Sequence, residues 1–267
     1  ALTGLKKLDL DRNKIAALPD AIGDLKELTD LHVGFNQLTA LPDTLGALTG
    51  LTELWAHYNK LTTLPESIAA LTQMKTLSLS FNKFTTLPKP IVKLTSLTEL
   101  YLGENQLVAL PDSIAALTAL ENLDLGGNQL VTLPKPIIKL TSLTELYLGE
   151  NQLVALPDSI AALTALENLD LGGNQLVTLP DSMAALTALE KLHLSGNKFT
   201  TLPKPIVKLT SLTELNLNTN QLVTLPDSMA ALTALENLDL EDNKFTTFPK
   251  PIVKLTSLTE LNLNTNQ

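Results

Sequence analysis

The sequence predicts a solenoid of the α/β class, one short coil used again and again. Three observations carry that reading. Leucine supplies 63 of the 267 residues, more than half of an apolar share of 44%, while aromatics make up only 4%. Leucine or methionine recurs every 23 residues, from Leu5 through Met74 to Leu258, with no insertion. Each unit also pairs a strand-like alternation with a proline-led turn. One aliphatic dominating the apolar set fits a single packing solution used repeatedly better than a mixed core.

Within a unit the pattern is LxxLxLxxNxLxxLPxxIxxLxx, as in Leu120, Leu123, Leu125, Asn128, Leu130, Leu133, Pro134, Ile137 and Leu140. The LxL step has the period of a strand, so positions four and six point into a core and positions three, five and seven face solvent. Next comes an asparagine where the strand must turn, in every unit from Asn13 to Asn266. A short amide donates and accepts at once, so stacked asparagines can satisfy backbone groups of adjacent coils that would otherwise be buried unpaired, at about 1–3 kcal/mol each. The last segment, such as Asp112 to Leu120, has apolar residues three apart after a proline, which suits a 3₁₀ or short helical turn.

With these motifs in hand, the whole chain resembles the leucine-rich repeats, in particular the 23-residue LPxxIxxL class of Ras-group, Roco-type and bacterial proteins. The resemblance implies an α/β leucine-rich repeat solenoid, a curved horseshoe with a parallel β-sheet on its concave face and short 3₁₀ or helical turns on its convex face. Residues 1–267 are expected to form a single such domain, eleven full repeats plus partial ends. The chain begins and ends inside a repeat without polar caps, so it is expected to be part of a larger protein or to associate end to end with other copies. A 46-residue period overlies the first. Residues 97–134 are identical to 143–180. After the proline, Asp112, Asp158, Asp181 and Asp227 contrast with Lys89, Lys135, Lys204 and Lys250, which should set opposite charges side by side on the outer face.

Composition narrows function. A net charge of −9 with Arg12 as the single arginine argues against a nucleic-acid partner. No cysteine is present, which removes disulfides, thiolate metal sites and cysteine nucleophiles. No apolar run approaches the roughly 18 residues of a membrane span. Together with the lack of any N-x-Ser/Thr sequon, the missing cysteines give a cytoplasmic location as the expectation.

A partner would meet the exposed columns at positions five, seven and eight. Every Trp, Tyr and His of the chain falls there. His32, Phe35, Trp55, His57, Tyr58, Phe81 and Tyr101 belong to four consecutive repeats and form the principal candidate contact, because aromatics on a rigid sheet bury area with little entropy loss. The alternative is that these rings merely cover one another. Phe84, Phe199, Phe245 and Phe248 are assigned to the core. A shallow, glycine-lined tract with Asp124, Tyr147, Asp170 and His193 ranks second, and Glu236, Asp239, Glu241, Asp242 and Glu260 read as a solvated acidic face.

Chemistry is not expected. Asp9 beside His32 and Asp170 beside His193 offer two ligands each where a metal needs three or four, so neither metal nor cofactor is predicted. Ser78 and Ser80 read as surface serines, since an open sheet provides no enclosed site for a nucleophile. The expected function is a non-enzymatic module that binds a protein or peptide on the concave face. A structural or self-associating arm, or the regulatory arm of a signalling enzyme such as a Roco-type GTPase, is the alternative.

Overall fold

A computed structural model describes Leu2 and Gly4–Gln267. Ala1 and Thr3, part of the incomplete first repeat, lie outside the described residues. The chain packs as two compact units, Ala1–Gln129 and Leu130–Gln267.

The first unit carries six parallel three-residue strands: β1 (Lys7–Asp9), β2 (Asp30–His32), β3 (Glu53–Trp55), β4 (Thr76–Ser78), β5 (Glu99–Tyr101) and β6 (Asn122–Asp124). Leu8, Leu31, Leu54, Leu77, Leu100 and Leu123 sit opposite one another in register. The second unit repeats this with β7 (Glu145–Tyr147), β8 (Asn168–Asp170), β9 (Lys191–His193), β10 (Glu214–Asn216), β11 (Asn237–Asp239) and β12 (Glu260–Asn262), aligned through Leu146, Leu169, Leu192, Leu215, Leu238 and Leu261. A fixed period therefore becomes fixed columns. Residues 23 apart are lateral neighbours.

The proline that follows the last apolar residue of each coil's extended segment leads into a five-residue 3₁₀ turn, such as Asp112–Ala116 after Pro111. Pro111 is extended, and the Ile114 N–H reaches back to its carbonyl at 3.0 Å, followed by Leu117 N–H to the Ile114 carbonyl at 3.0 Å. These i→i+3 bonds make the turn a 3₁₀ helix, with no side-chain cap. Strand leucines pack against a buried turn residue, isoleucine in most coils and Leu45, Met183 or Met229 in the others, and Leu31, Leu54, Leu77, Ile68 and Ile91 are fully buried. Phe84, Phe199 and Phe245 lie in the core as expected. Phe248 does not. It is 55% exposed, whereas Leu202 at the equivalent position is 6% exposed, because no described coil lies over the turn that carries it.

The asparagine column performs the predicted task. Asn36 Nδ2 donates to the carbonyls of Leu10, Val33 and Gly34 at 2.9, 3.1 and 3.0 Å, while its Oδ1 accepts the Ile15 N–H at 3.0 Å. One side chain stitches two coils. The outer charge alternation, by contrast, yields no ion pairs among the described residues. Lys89, Asp112 and their equivalents stand exposed at the starts of separate turns, where a pair gains little over solvation, whereas Lys7–Asp30 and His193–Glu214 do come within 4 Å. No helix among the described residues is long and apolar enough to cross a membrane.

Candidate binding surface

Register brings the predicted rings together. His32 pairs with Trp55, Trp55 with Ser78, and Ser78 with Tyr101. His32 and Trp55 meet with ring centroids 5.9 Å apart. Across the small Ser78, Trp55 and Tyr101 close to 6.0 Å at an interplanar angle of 25°. Ser78 is consequently 4% exposed, so the expectation of a surface serine is corrected: it is the floor over which two rings lean. Ser80 is half-buried. The ring tips are tethered from the same strands, with Trp55 Nε1–H donating to Glu53 Oε2 at 3.2 Å and the Tyr101 hydroxyl to Glu99 Oε2 at 3.1 Å. Sequence reasoning missed Glu53 and Glu99. Their signal was a glutamate two residues before an aromatic, the spacing that puts two side chains on one face of a strand.

The eighth column is stranger. Phe35, Tyr58 and Phe81 all have left-handed backbones, with φ of 51°, 51° and 56°, a conformation that costs an L residue about 1–2 kcal/mol. The sheet edge imposes it. The N–H of each donates to a carbonyl in the next coil: Phe35 to His57 at 3.0 Å, Tyr58 to Ser80 at 2.9 Å and Phe81 to Gly103 at 2.9 Å. The whole column shares this φ, through Arg12, Glu104, Glu150, Thr219, Asp242 and Thr265 as well as glycines 127, 173 and 196, and those glycines were the available signal for it. From this backbone the rings stack face to face, Phe35–Tyr58 at 4.3 Å and Tyr58–Phe81 at 3.9 Å, with the Arg12 guanidinium 5.1 Å above Phe35. The faces are mutually covered, as the alternative reading expected, but the edges are open, for the three rings remain 38–40% exposed. Beside the ladder lies a shallow depression of about 300 Å³ lined by Trp55, His57, Tyr58, Ser78, Ser80, Phe81 and Tyr101.

His57 wedges between the two aromatic rows, edge-on to Phe35 at 5.1 Å and to Trp55 at 6.1 Å. It fits because position 34 has no side chain: a Cβ there would come within 2.7 Å of His57 Cε1. Burial lowers the imidazole pKa, Asp11 acts against that shift and His32 adds to it. The ring is neutral at neutral pH.

The second-ranked residues hold hydrogen bonds of their own. Asp124 ends β6, where its Oδ1 accepts the Gly126 N–H at 2.9 Å. In the other unit, Tyr147, Asp170 and His193 are successive register neighbours. Each is engaged locally: the Tyr147 hydroxyl donates to Glu145 Oε2 at 2.9 Å, Asp170 Oδ1 accepts the Gly172 N–H at 2.8 Å, and His193 Nε2 is 2.9 Å from Glu214 Oε1. The expected shallow groove is partly filled, because the Glu104 and Glu150 carboxylates lie where Cβ atoms on Gly127 and Gly173 would be. The acidic face is bridged by amides, with Asn218 donating to Asp239 at 2.9 Å and Asn262 to Glu241 at 2.9 Å.

Near β1 the count of possible metal ligands changes. Asp11 joins Asp9 and His32, and one donor atom from each lies within 4.8 Å of the other two. Pairing along β1 and β2 alone gave two ligands; the third comes from the residue two positions beyond Asp9.

The family model described as leucine rich repeat matches residues 26–84, 72–130, 141–199 and 210–267. The chain belongs to the leucine-rich repeat family. A two-copy repeat model also matches residues 187–228. Among solved structures, the leucine-rich repeat protein resembles LRR protein LIC12759 of Leptospira interrogans at 37% identity and a TM-score of 0.78, covering 100% of this chain and 80% of that one. It resembles an internalin, InlF of Listeria monocytogenes, at 26% identity and a TM-score of 0.79, covering 100% and 82%. It also matches the ectodomain of the Arabidopsis thaliana receptor kinase GASSHO1/SCHENGEN3 in complex with CASPARIAN STRIP INTEGRITY FACTOR 2, at 31% identity and a TM-score of 0.78. That match covers 99% of the repeat protein but only 36% of the plant chain. No curated protein sequence matches. Leucine-rich repeats commonly mediate protein–protein interaction and are typically non-enzymatic.

Proposed function

We propose that this chain is a non-enzymatic binding module that takes up a protein or peptide on its sheet face, with His32, Phe35, Trp55, His57, Tyr58, Phe81 and Tyr101 as the principal contact. The observation that carries the reading is the exposed, stacked ladder Phe35–Tyr58–Phe81, which fills three successive positions of a column that is left-handed throughout. A ring at such a position costs about 1–2 kcal/mol relative to a relaxed residue, and a stacked pair returns about 0.5–1.5 kcal/mol. The backbone gains nothing that glycine does not supply at positions 127, 173 and 196. What the rings add is an exposed aromatic surface, and contiguous surfaces of this kind serve as interaction sites. The stack pins these three rings, and Glu53 and Glu99 pin Trp55 and Tyr101 beside them, which leaves little side-chain entropy to lose on binding. The plant ectodomain in its complex with CASPARIAN STRIP INTEGRITY FACTOR 2 supports the general mode.

The test is a displayed random-peptide library selected on the immobilised chain. Peptides enriched on the native protein are expected to lose enrichment on Trp55→Ala/Tyr58→Ala and to keep it on Tyr147→Ala/His193→Ala. Equal enrichment on the first variant, with native circular dichroism, sinks the assignment.

A further inference from the structure

We propose that Asp9, Asp11 and His32 form a binding site for a divalent first-row metal ion such as zinc, where β1 and β2 meet on the sheet face. One donor atom from each residue lies within 4.8 Å of the other two. Donors around a tetrahedral zinc stand about 3.4 Å apart, given bonds of about 2.0–2.2 Å. Closing the site therefore takes about 1.4 Å of side-chain movement, within reach of an exposed Asp9 and half-buried Asp11 and His32.

The parallel register sets Asp9 opposite His32, and Asp11 follows at the two-residue step that returns to the same face. Both carboxylates are already oriented. Asp9 Oδ1 accepts the Asp11 N–H at 2.9 Å, and Asp11 Oδ1 accepts the Gly34 N–H at 2.6 Å. The second oxygen of each makes no hydrogen bond among the described residues, and backbone bonds of this kind hold ligands in place ahead of the metal. The nearby cations are committed elsewhere: Lys7 pairs with Asp30 at 2.7 Å and Arg12 lies over Phe35. Two carboxylates thus stand beside one imidazole. A mixed nitrogen and oxygen set favours zinc, nickel or manganese over calcium, which takes oxygen alone. Three protein donors leave a fourth position to water.

The molecule carries its own control. Asp170 and His193 make the same register pair on β8 and β9, but position seven there is Gly172, and His193 is bonded to Glu214. Among the described residues no three-donor group forms at that place. The difference is Asp11.

The experiment titrates the whole chain with zinc chloride in a non-chelating buffer, read by calorimetry and by the imidazole resonances of the three histidines. One zinc per chain is expected, with the His32 resonances shifting and those of His193 unmoved. Asp11→Asn keeps an acceptor for the Gly34 N–H and should weaken binding by about tenfold or more, while Asp170→Asn leaves it unchanged. Absence of uptake, equal affinity in Asp11→Asn, or a common shift of all three histidines would each overturn the assignment.

Discussion

Burial between Phe35 and Trp55 holds the His57 imidazole below its ordinary pKa, against the field of Asp11. A histidine whose pKa falls on folding binds protons more readily in the unfolded chain. Between its folded value and the ordinary value of about 6.5, the unfolded state therefore carries more protons, and stability rises with pH there. The contribution of His57 is complete above about pH 6.5 and is lost as the pH falls through that window toward the folded pKa. An NMR titration should show His57 protonating below about 6.5, and His57→Gln should flatten the corresponding part of the stability profile. A His57 titration at or above the ordinary value contradicts this account. The same residue links the two proposed sites, since it lies among the rings of the candidate surface and feels the charge of Asp11 across Gly34.

At the scale of one coil, the asparagine decides whether a tight turn can be buried. Asn174 Nδ2 donates to the carbonyls of Leu148, Leu171 and Gly172, and its Oδ1 accepts the Leu153 N–H. Asn174→Ala orphans groups that water cannot reach, so a loss of about 2–4 kcal/mol is expected. Asn13, which is exposed and among the described residues donates to Leu10 and Asp11, should cost less than about 1 kcal/mol when replaced by alanine, because water can take its place. Denaturant midpoints of the two variants check this, and equal losses would contradict it. The strand, the asparagine and the proline-led turn were all legible in the sequence, because each rests on a spacing within one coil. Less legible was whatever depends on the direction in which a side chain leans between coils. Ser78 reads as exposed until Trp55 and Tyr101 are seen to close over it. Asp11 goes uncounted beside Asp9 and His32, because its reach toward them depends on how the side chains lean. Glycines 127 and 173 read as an empty groove, although one signal in that column, a preference for left-handed backbone, was already present.

Along the whole chain, identical blocks make a deletion whose result follows from the repeat itself. Because residues 97–134 and 143–180 are identical, removing residues 135–180 leaves residues 1–134 unchanged and joins Pro134 to Asp181, the same Pro–Asp step that Pro180 makes in the parent. Two coils and the strands β7 and β8 disappear. In a repeat array, stability is the sum of unit and nearest-neighbour contributions, so the new junction re-creates a neighbour pair whose sequence already occurs in the chain on one side and in an equivalent coil on the other. The variant is expected to fold with the circular dichroism per residue of the parent. Surface exposed on unfolding, read as the total denaturant m-value, should fall by about one sixth, in proportion to the 46 residues lost from 267. Peptide enrichment and zinc uptake should both persist, since residues 9 to 101 are untouched and draw their neighbours from coils that remain. Loss of either function in a folded variant would place its determinants in the deleted coils, where Tyr147 and Asp170 lie, and would reverse the ranking of the two surfaces.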